Sequence, residues 1–216
     1  MENQVVMDAH MPTAHPPAGA LCRDFPLVKS ASKYFRVGID IKEYSPFVAL
    51  VKQPHKECIT FTVSEFKQMT SEQMIHFNGQ YSSDPIRIGT ITLSLKQIGN
   101  ATVLCLDKNN YRVYLAESTW KFVQRIKQII FTYITQCETL CEKANANFYS
   151  LMTHAKYFCL PRWAGNTKIP DLNEEGWYEM LYNALNAVQT SFPEPLKQEM
   201  LCYHTDYLKE TLISMM

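Results

Sequence analysis

The side chains that could do chemistry are basic and aromatic residues placed where β-strands would carry them outward. Arg36, Lys42 and Tyr44 follow one another on the polar side of an alternating run. Arg112 and Tyr114 share one side of another, with Tyr111 at its start. Lys33, Lys52, Lys56, Arg87, Lys96 and Lys108 fall near expected strand ends. Guanidinium and ammonium groups neutralise phosphates, and tyrosine rings offer faces on which bases stack, each stack contributing roughly 1–3 kcal/mol. The expected chemistry is capture of a flexible polyanion bearing aromatic bases, tolerant of sequence and weakened by salt.

Other chemistries find less support. No Gly-x-x-x-x-Gly-Lys or Gly-x-Gly-x-x-Gly loop is present to cradle a phosphate, and no Gly-x-Ser-x-Gly or His-Glu-x-x-His. The chain is therefore read as non-catalytic, with no cofactor. Cys137 and Cys141 stand four apart on an expected helix, with His154, Cys159, Cys202 and His204 downstream. Structural zinc sites use close cysteine pairs on turns, so these thiols read as reduced and buried rather than metal-bound. The seven cysteines are scattered, and no export signal precedes them, which fits a reducing compartment. No apolar run reaches the ~18–20 residues needed to cross a bilayer.

The charges balance over 216 residues but not locally. Residues 22–130 carry 15 Lys and Arg against 9 Asp and Glu, while residues 131–216 carry 6 against 10. A basic segment beside an acidic one is what an electrostatic partner site joined to a separate region would give.

The elements that must position these residues divide the chain in three. Residues 1–30, with prolines and small residues from His10 to Ala20, read as a flexible leader. Residues 31–136 read as two units, about 34–78 and 85–136, each of three antiparallel strands and a helix. In the first, Phe35, Val37, Ile39 and Ile41 alternate with polar residues, Phe47–Lys52 is a more deeply buried strand, and Ile59–Val63 alternates again. Ser64 is the expected N-cap of the following helix. In the second, Arg87-Ile88-Gly89 echoes Arg36-Val37-Gly38, and a long strand follows to Leu95. A Gly99-Asn100 turn, a strand over 101–106, a turn at 107–110 and a last strand over 111–115 follow. Phe66 and Trp120 are each the first large aromatic after the final strand. Residues 137–216 read as a helical C-terminal region. The helix opened at Glu117 runs past Ile134, Asp171 or Asn173 caps another containing Trp177, and Leu196–Ser214 forms a last one.

Ile39-Asp40-Ile41-Lys42-Glu43-Tyr44 and Val113-Tyr114-Leu115-Ala116-Glu117-Ser118-Thr119-Trp120 carry a resemblance. They are similar to motifs of the superfamily of single-strand-binding transcription regulators that includes positive cofactor four, the plant Whirly proteins and PUR-alpha. Ile59-Thr60-Phe61-Thr62-Val63-Ser64 looks like the first-unit version, with Phe66 in place of tryptophan. The resemblance covers residues 34 to about 134. It implies an α+β fold in which the two strand-strand-strand-helix repeats pair as an internal pseudo-dimer. It further implies binding of single-stranded DNA or RNA in transcription, replication or genome protection, inside the cell, in the nucleus or the cytoplasm. The alternative is a protein-interaction or assembly module, with the helical C-terminal region serving a homodimer or another protein partner.

Overall fold

The computed structural model describes residues 17, 19–54, 57–71, 85–109, 111–163, 172–187 and 191–215. Most of the expected leader, and Lys56, lie outside them. The described chain runs β1 (Gly19–Pro26), β2 (Lys33–Asp40), β3 (Ser45–Lys52), β4 (Glu57–Phe61), α1 (Val63–Met69), β5 (Ile86–Ile88), β6 (Ile91–Ile98), β7 (Ala101–Lys108), β8 (Tyr111–Ala116), α2 (Glu117–Trp163), α3 (Glu174–Asn186), α4 (Glu194–Tyr203) and α5 (Thr205–Ser214). This is a mixed α+β fold. The strands form two four-stranded antiparallel sheets, ordered β1-β2-β3-β4 and β5-β6-β7-β8.

Each sheet has one strand more than the sequence reading gives. In the first, residues 19–26 of the expected leader form β1. A register shift between Ala20 and Arg23 and a positive φ at Leu21 break the alternation that would have revealed it. Pairing with β2 makes this segment a strand. In the second, Arg87 and Ile88 belong to a separate short strand, β5, ahead of the expected long one. Gly89, at φ +56°, and Thr90 turn the chain between β5 and β6. Gly89 is thus no counterpart of Gly38, which lies inside β2.

Residues of alternate parity face opposite sides of a strand. The inner sides of both sheets merge into one core. Phe35, Val37, Leu50, Ile59 and Phe61 come from the first, and Ile91, Leu93, Leu106, Val113 and Leu115 from the second. Phe66 of α1 and Trp120, Val123, Ile130 and Ile134 of α2 complete it. The edge strands β4 and β8 lie against each other. Lys33 Nζ donates to the Tyr114 carbonyl at 2.7 Å, and Lys108 Nζ donates to the Thr60 carbonyl at 2.5 Å. Thr60 and Tyr114 each stand six residues before the aromatic that opens its helix face, Phe66 or Trp120.

The N-cap of α1 is Thr62, not Ser64. Its hydroxyl accepts from Glu65 N, and the Glu65 carboxylate accepts from Thr62 N, closing a capping box. The other oxygen of Glu65 accepts from the amide and hydroxyl of Thr90 at 3.1 and 3.2 Å. One carboxylate therefore ties α1 to the β5–β6 turn, and a Cβ at Gly89 would collide with it. Burial pushes the Glu65 carboxyl up, but the Thr62 and Thr90 donors and the Lys108 charge outweigh it and hold it below the usual carboxylate range.

α2 runs past Ile134 as expected and crosses the expected unit boundary at residue 136. It continues to Trp163, and its second half builds another core from Cys137, Cys141, Ala144, Leu151, Met152, Ala155 and Cys159. α3, α4 and α5 pack there together with Ala20, Ile39, Ile41 and Tyr44 of the first sheet. Asn173 caps α3. The single helix expected over 196–214 is two, separated at His204, whose φ of −134° leaves the helical region.

Replacing Glu65 by alanine removes its three hydrogen bonds from the Thr62 amide and the Thr90 amide and hydroxyl, so we expect a loss of about 1–3 kcal/mol, read as a lower Tm. The depressed folded-state value means this stabilisation is present above the unfolded carboxyl's range and is lost as pH falls through the folded one. The Tm gap between wild type and Glu65→Gln should therefore narrow on acidification. Gly89→Ala should destabilise at every pH, by positive-φ strain and the collision.

Candidate nucleic-acid interface

The second sheet turns a polar face outward. Arg87, Thr92, Asp107 and Arg112 form a cross-strand row across all four strands. Beside it run Ser94, Cys105 and Tyr114, then Lys96, Val103 and Ala116. Strands lie ~4.8 Å apart, so Arg87 and Arg112 stand roughly 14 Å apart. Arg87 and Arg112 are exposed, and Lys96 and Tyr114 are half-buried. Arg112 Nε donates to Asp107 Oδ2 at 2.5 Å, and this hydrogen bond raises its pKa. The guanidinium still presents its other donors to solvent.

The outer side of the first sheet is different. Tyr34, Phe47, Ala49, Val51 and Cys58 make a buried apolar cluster there. Arg36 reaches over it, 5.6 Å from the Tyr34 ring. Both oxygens of Asp24 accept from it, at 2.8 and 2.9 Å, and this pairing is the chief cause of its raised pKa. Its fork is already filled by an internal carboxylate.

Several expected site residues are engaged elsewhere. The β2 strand ends at Asp40, so Lys42 and Tyr44 do not continue its outer face. The Asp40 carboxylate accepts from the amides of Lys42 and Glu43 and turns the chain. Lys42 is exposed in that turn. Tyr44 is 5% exposed and cannot receive a base. It packs on Phe148 and Phe192, its hydroxyl donates to Met200 Sδ, and Asn145 Nδ2 donates to its carbonyl. Burial is the chief cause of its strongly raised pKa. Tyr111 turns inward against the shared core. Lys33 and Lys108 fasten β8 and β4. Burial, then the Lys52 charge across the ladder, lowers the Lys33 pKa. Lys52 is half-buried at the end of β3.

Four of the expected residues thus share one open face: Arg87, Lys96, Arg112 and Tyr114. Thr92, Ser94 and Asp107 belong to the same face and escaped the sequence reading. Only the register places them between the cations, although the alternation of Thr92 and Ser94 with Ile91, Leu93 and Leu95 was a usable signal.

The cysteines do not converge. Cys137, Cys141 and Cys159 are buried along α2, while His154 is exposed and its Nδ1 lies 2.6 Å from the Ser150 carbonyl. At 1.5 Å per residue, Cys141 and Cys159 are ~27 Å apart. Burial raises the Cys137 thiol to about 12 and the Cys141 thiol to about 11. Among the described residues no group of three or more His, Cys, Asp or Glu could hold a metal ion. Nor does any described helix have the length and apolarity to cross a membrane.

Tyr44→Ala should cost about 3 kcal/mol or more in chemical denaturation, as removal of a core aromatic does. Arg87→Ala should stay within about 0.5 kcal/mol of wild type, because its side chain is at the surface. No family model, curated protein or solved structure matches the chain.

Proposed function

We propose that this protein binds single-stranded DNA or RNA, without catalysis, on the outer face of its second sheet. The observation that carries the reading is the open face itself. Two guanidinium groups, an ammonium and a half-buried tyrosine share it with the hydroxyls of Thr92 and Ser94. Arg87, Lys96 and Arg112 contact phosphates, and Tyr114 offers a ring to a base. Asp107 is the opposing charge in the row and sets how readily Arg112 is released to a phosphate.

The arrangement of the chain supports the same reading. Four antiparallel strands followed by a helix occur twice. Phe66 and Trp120 occupy matching places in one core, and the carbonyls of Thr60 and Tyr114 each accept a lysine from the opposite sheet. These correspondences favour two repeats paired as an internal pseudo-dimer, as the resemblance to the positive cofactor four, Whirly and PUR-alpha superfamily implies. With that resemblance the role falls in transcription, replication or genome protection, in the nucleus or the cytoplasm.

Fluorescence anisotropy of a labelled ~20-nucleotide single strand tests this. Three phosphate contacts give a slope of log affinity against log salt near about −2, and Arg112→Ala should reduce it by about 0.7. Asp107→Asn should tighten binding, since it removes the competing carboxylate. Neither substitution should move Tm by more than about 1–2 °C, as both lie on the surface. Absence of binding at low salt would overturn the proposal and favour a protein-interaction module.

A further inference from the structure

A second feature lies far from this sheet in the chain and has the opposite charge. The N-terminal turns of α3 and α5 open into one groove of about 420 Å³, within the range of ligand pockets. Glu174 and Glu175 enter it from α3 and Asp206 from α5, with Trp177 and the 77%-exposed Tyr203 beside them. Acidic residues in a first helical turn complement the helix dipole. That accounts for carboxylates at each helix start, but not for two such starts facing one groove with aromatic rings.

The groove already holds one cation. Lys209 Nζ lies 5.1 Å from the centroid of the Trp177 ring, in the geometry of a cation–π contact. Three carboxylates thus line the same groove as a single ammonium. Its own chain supplies the cation that the ring and the carboxylates select, and two negative charges remain over. Such a surface rejects phosphates and accepts an alkylammonium or guanidinium group.

We propose that this groove docks a lysine- or arginine-bearing segment of a partner protein, one of whose cations takes the place of Lys209 on Trp177. Glu174, Glu175 and Asp206 pair with the segment's charges, and Tyr203 packs on its aliphatic stems. Lys209 is an internal competitor. It keeps the Trp177 ring covered when no partner is present and swings out when one docks.

Cys202 lines the same groove and is exposed, so its thiol reports occupancy. Full-length protein is treated with iodoacetamide, and modification of Cys202 is followed by peptide mass spectrometry. A capped peptide of alternating lysine and glycine is added at rising concentration, with a glutamate–glycine peptide as control. The lysine peptide should slow Cys202 alkylation severalfold and saturably, and the glutamate peptide should not. Lys209→Ala should lower the half-protecting concentration about two- to fivefold, because the competitor is gone. Asp206→Asn should raise it. An unchanged Cys202 rate, equal protection by both peptides, or a Lys209→Ala or Asp206→Asn value equal to wild type would overturn the proposal. The wild-type arm requires no variant to fold, and none of these outcomes depends on nucleic-acid binding.

Discussion

The rest of the molecule depends on the burial of α2 in two places. At 1.5 Å per residue its 47 residues extend ~70 Å, too far for one small core to cover. Trp120, Val123, Ile130 and Ile134 in its first half are enclosed by the inner sides of both sheets. Cys137, Cys141, Ala144, Leu151 and Met152 in its second half are enclosed by α3, α4 and α5 and by one end of the first sheet. Tyr133 stands at the junction and packs on both clusters. Its hydroxyl donates to the Leu21 carbonyl in the bulged part of β1, and burial raises its pKa to about 12. Sheets and C-terminal helices thus share a rigid axis.

That axis explains how the two sheets come to differ in availability. The first sheet is occupied on both sides. Its inner side feeds the two cores, and its outer side is sealed by the Tyr34, Phe47 and Val51 cluster. The second sheet contributes its inner side to one core only and leaves the exposed Arg87 and Arg112 on its outer face. The backbone ladder fixes the Cα positions of the cationic residues on that face at strand spacing. Such preorganisation would lower the entropy cost of the proposed grip on a single strand. The charge separation also becomes spatial. Acidic side chains gather at the starts of α3 and α5, while the basic row lies on a sheet assembled from residues 86–116.

The lysines illustrate how burial redistributes function. Lys33 and Lys108 have the same chemistry as Lys96, and a linear reading cannot separate them. Two of them satisfy carbonyls at sheet edges that would otherwise be unpaired in a half-buried place. The edge strands are thereby closed against stray pairing. A half-buried ammonium that satisfies a carbonyl is less available to a phosphate than Lys96 on the outer face.

The sequence by itself determined the elements whose signals are local. The alternation at Phe35, Val37 and Ile39 marks β2, the turn residues Gly99 and Asn109 mark hairpins, and the helical stripe from Trp120 marks α2. It also placed Arg112 and Tyr114 on one outward side, because side-chain parity along a strand depends only on the strand itself. Only the tertiary structure decided what depends on a partner distant in the chain. β1 exists because β2 lies beside it, not because its own residues alternate. Gly89 turns rather than extends because Glu65, 24 positions earlier, anchors the next residue. Tyr44 is core rather than platform because Phe148, Phe192 and Met200 close over it from more than a hundred residues away. Sequence pattern fixes direction along an element. What waits on that side, water or another helix, is set by packing between elements that no local pattern records.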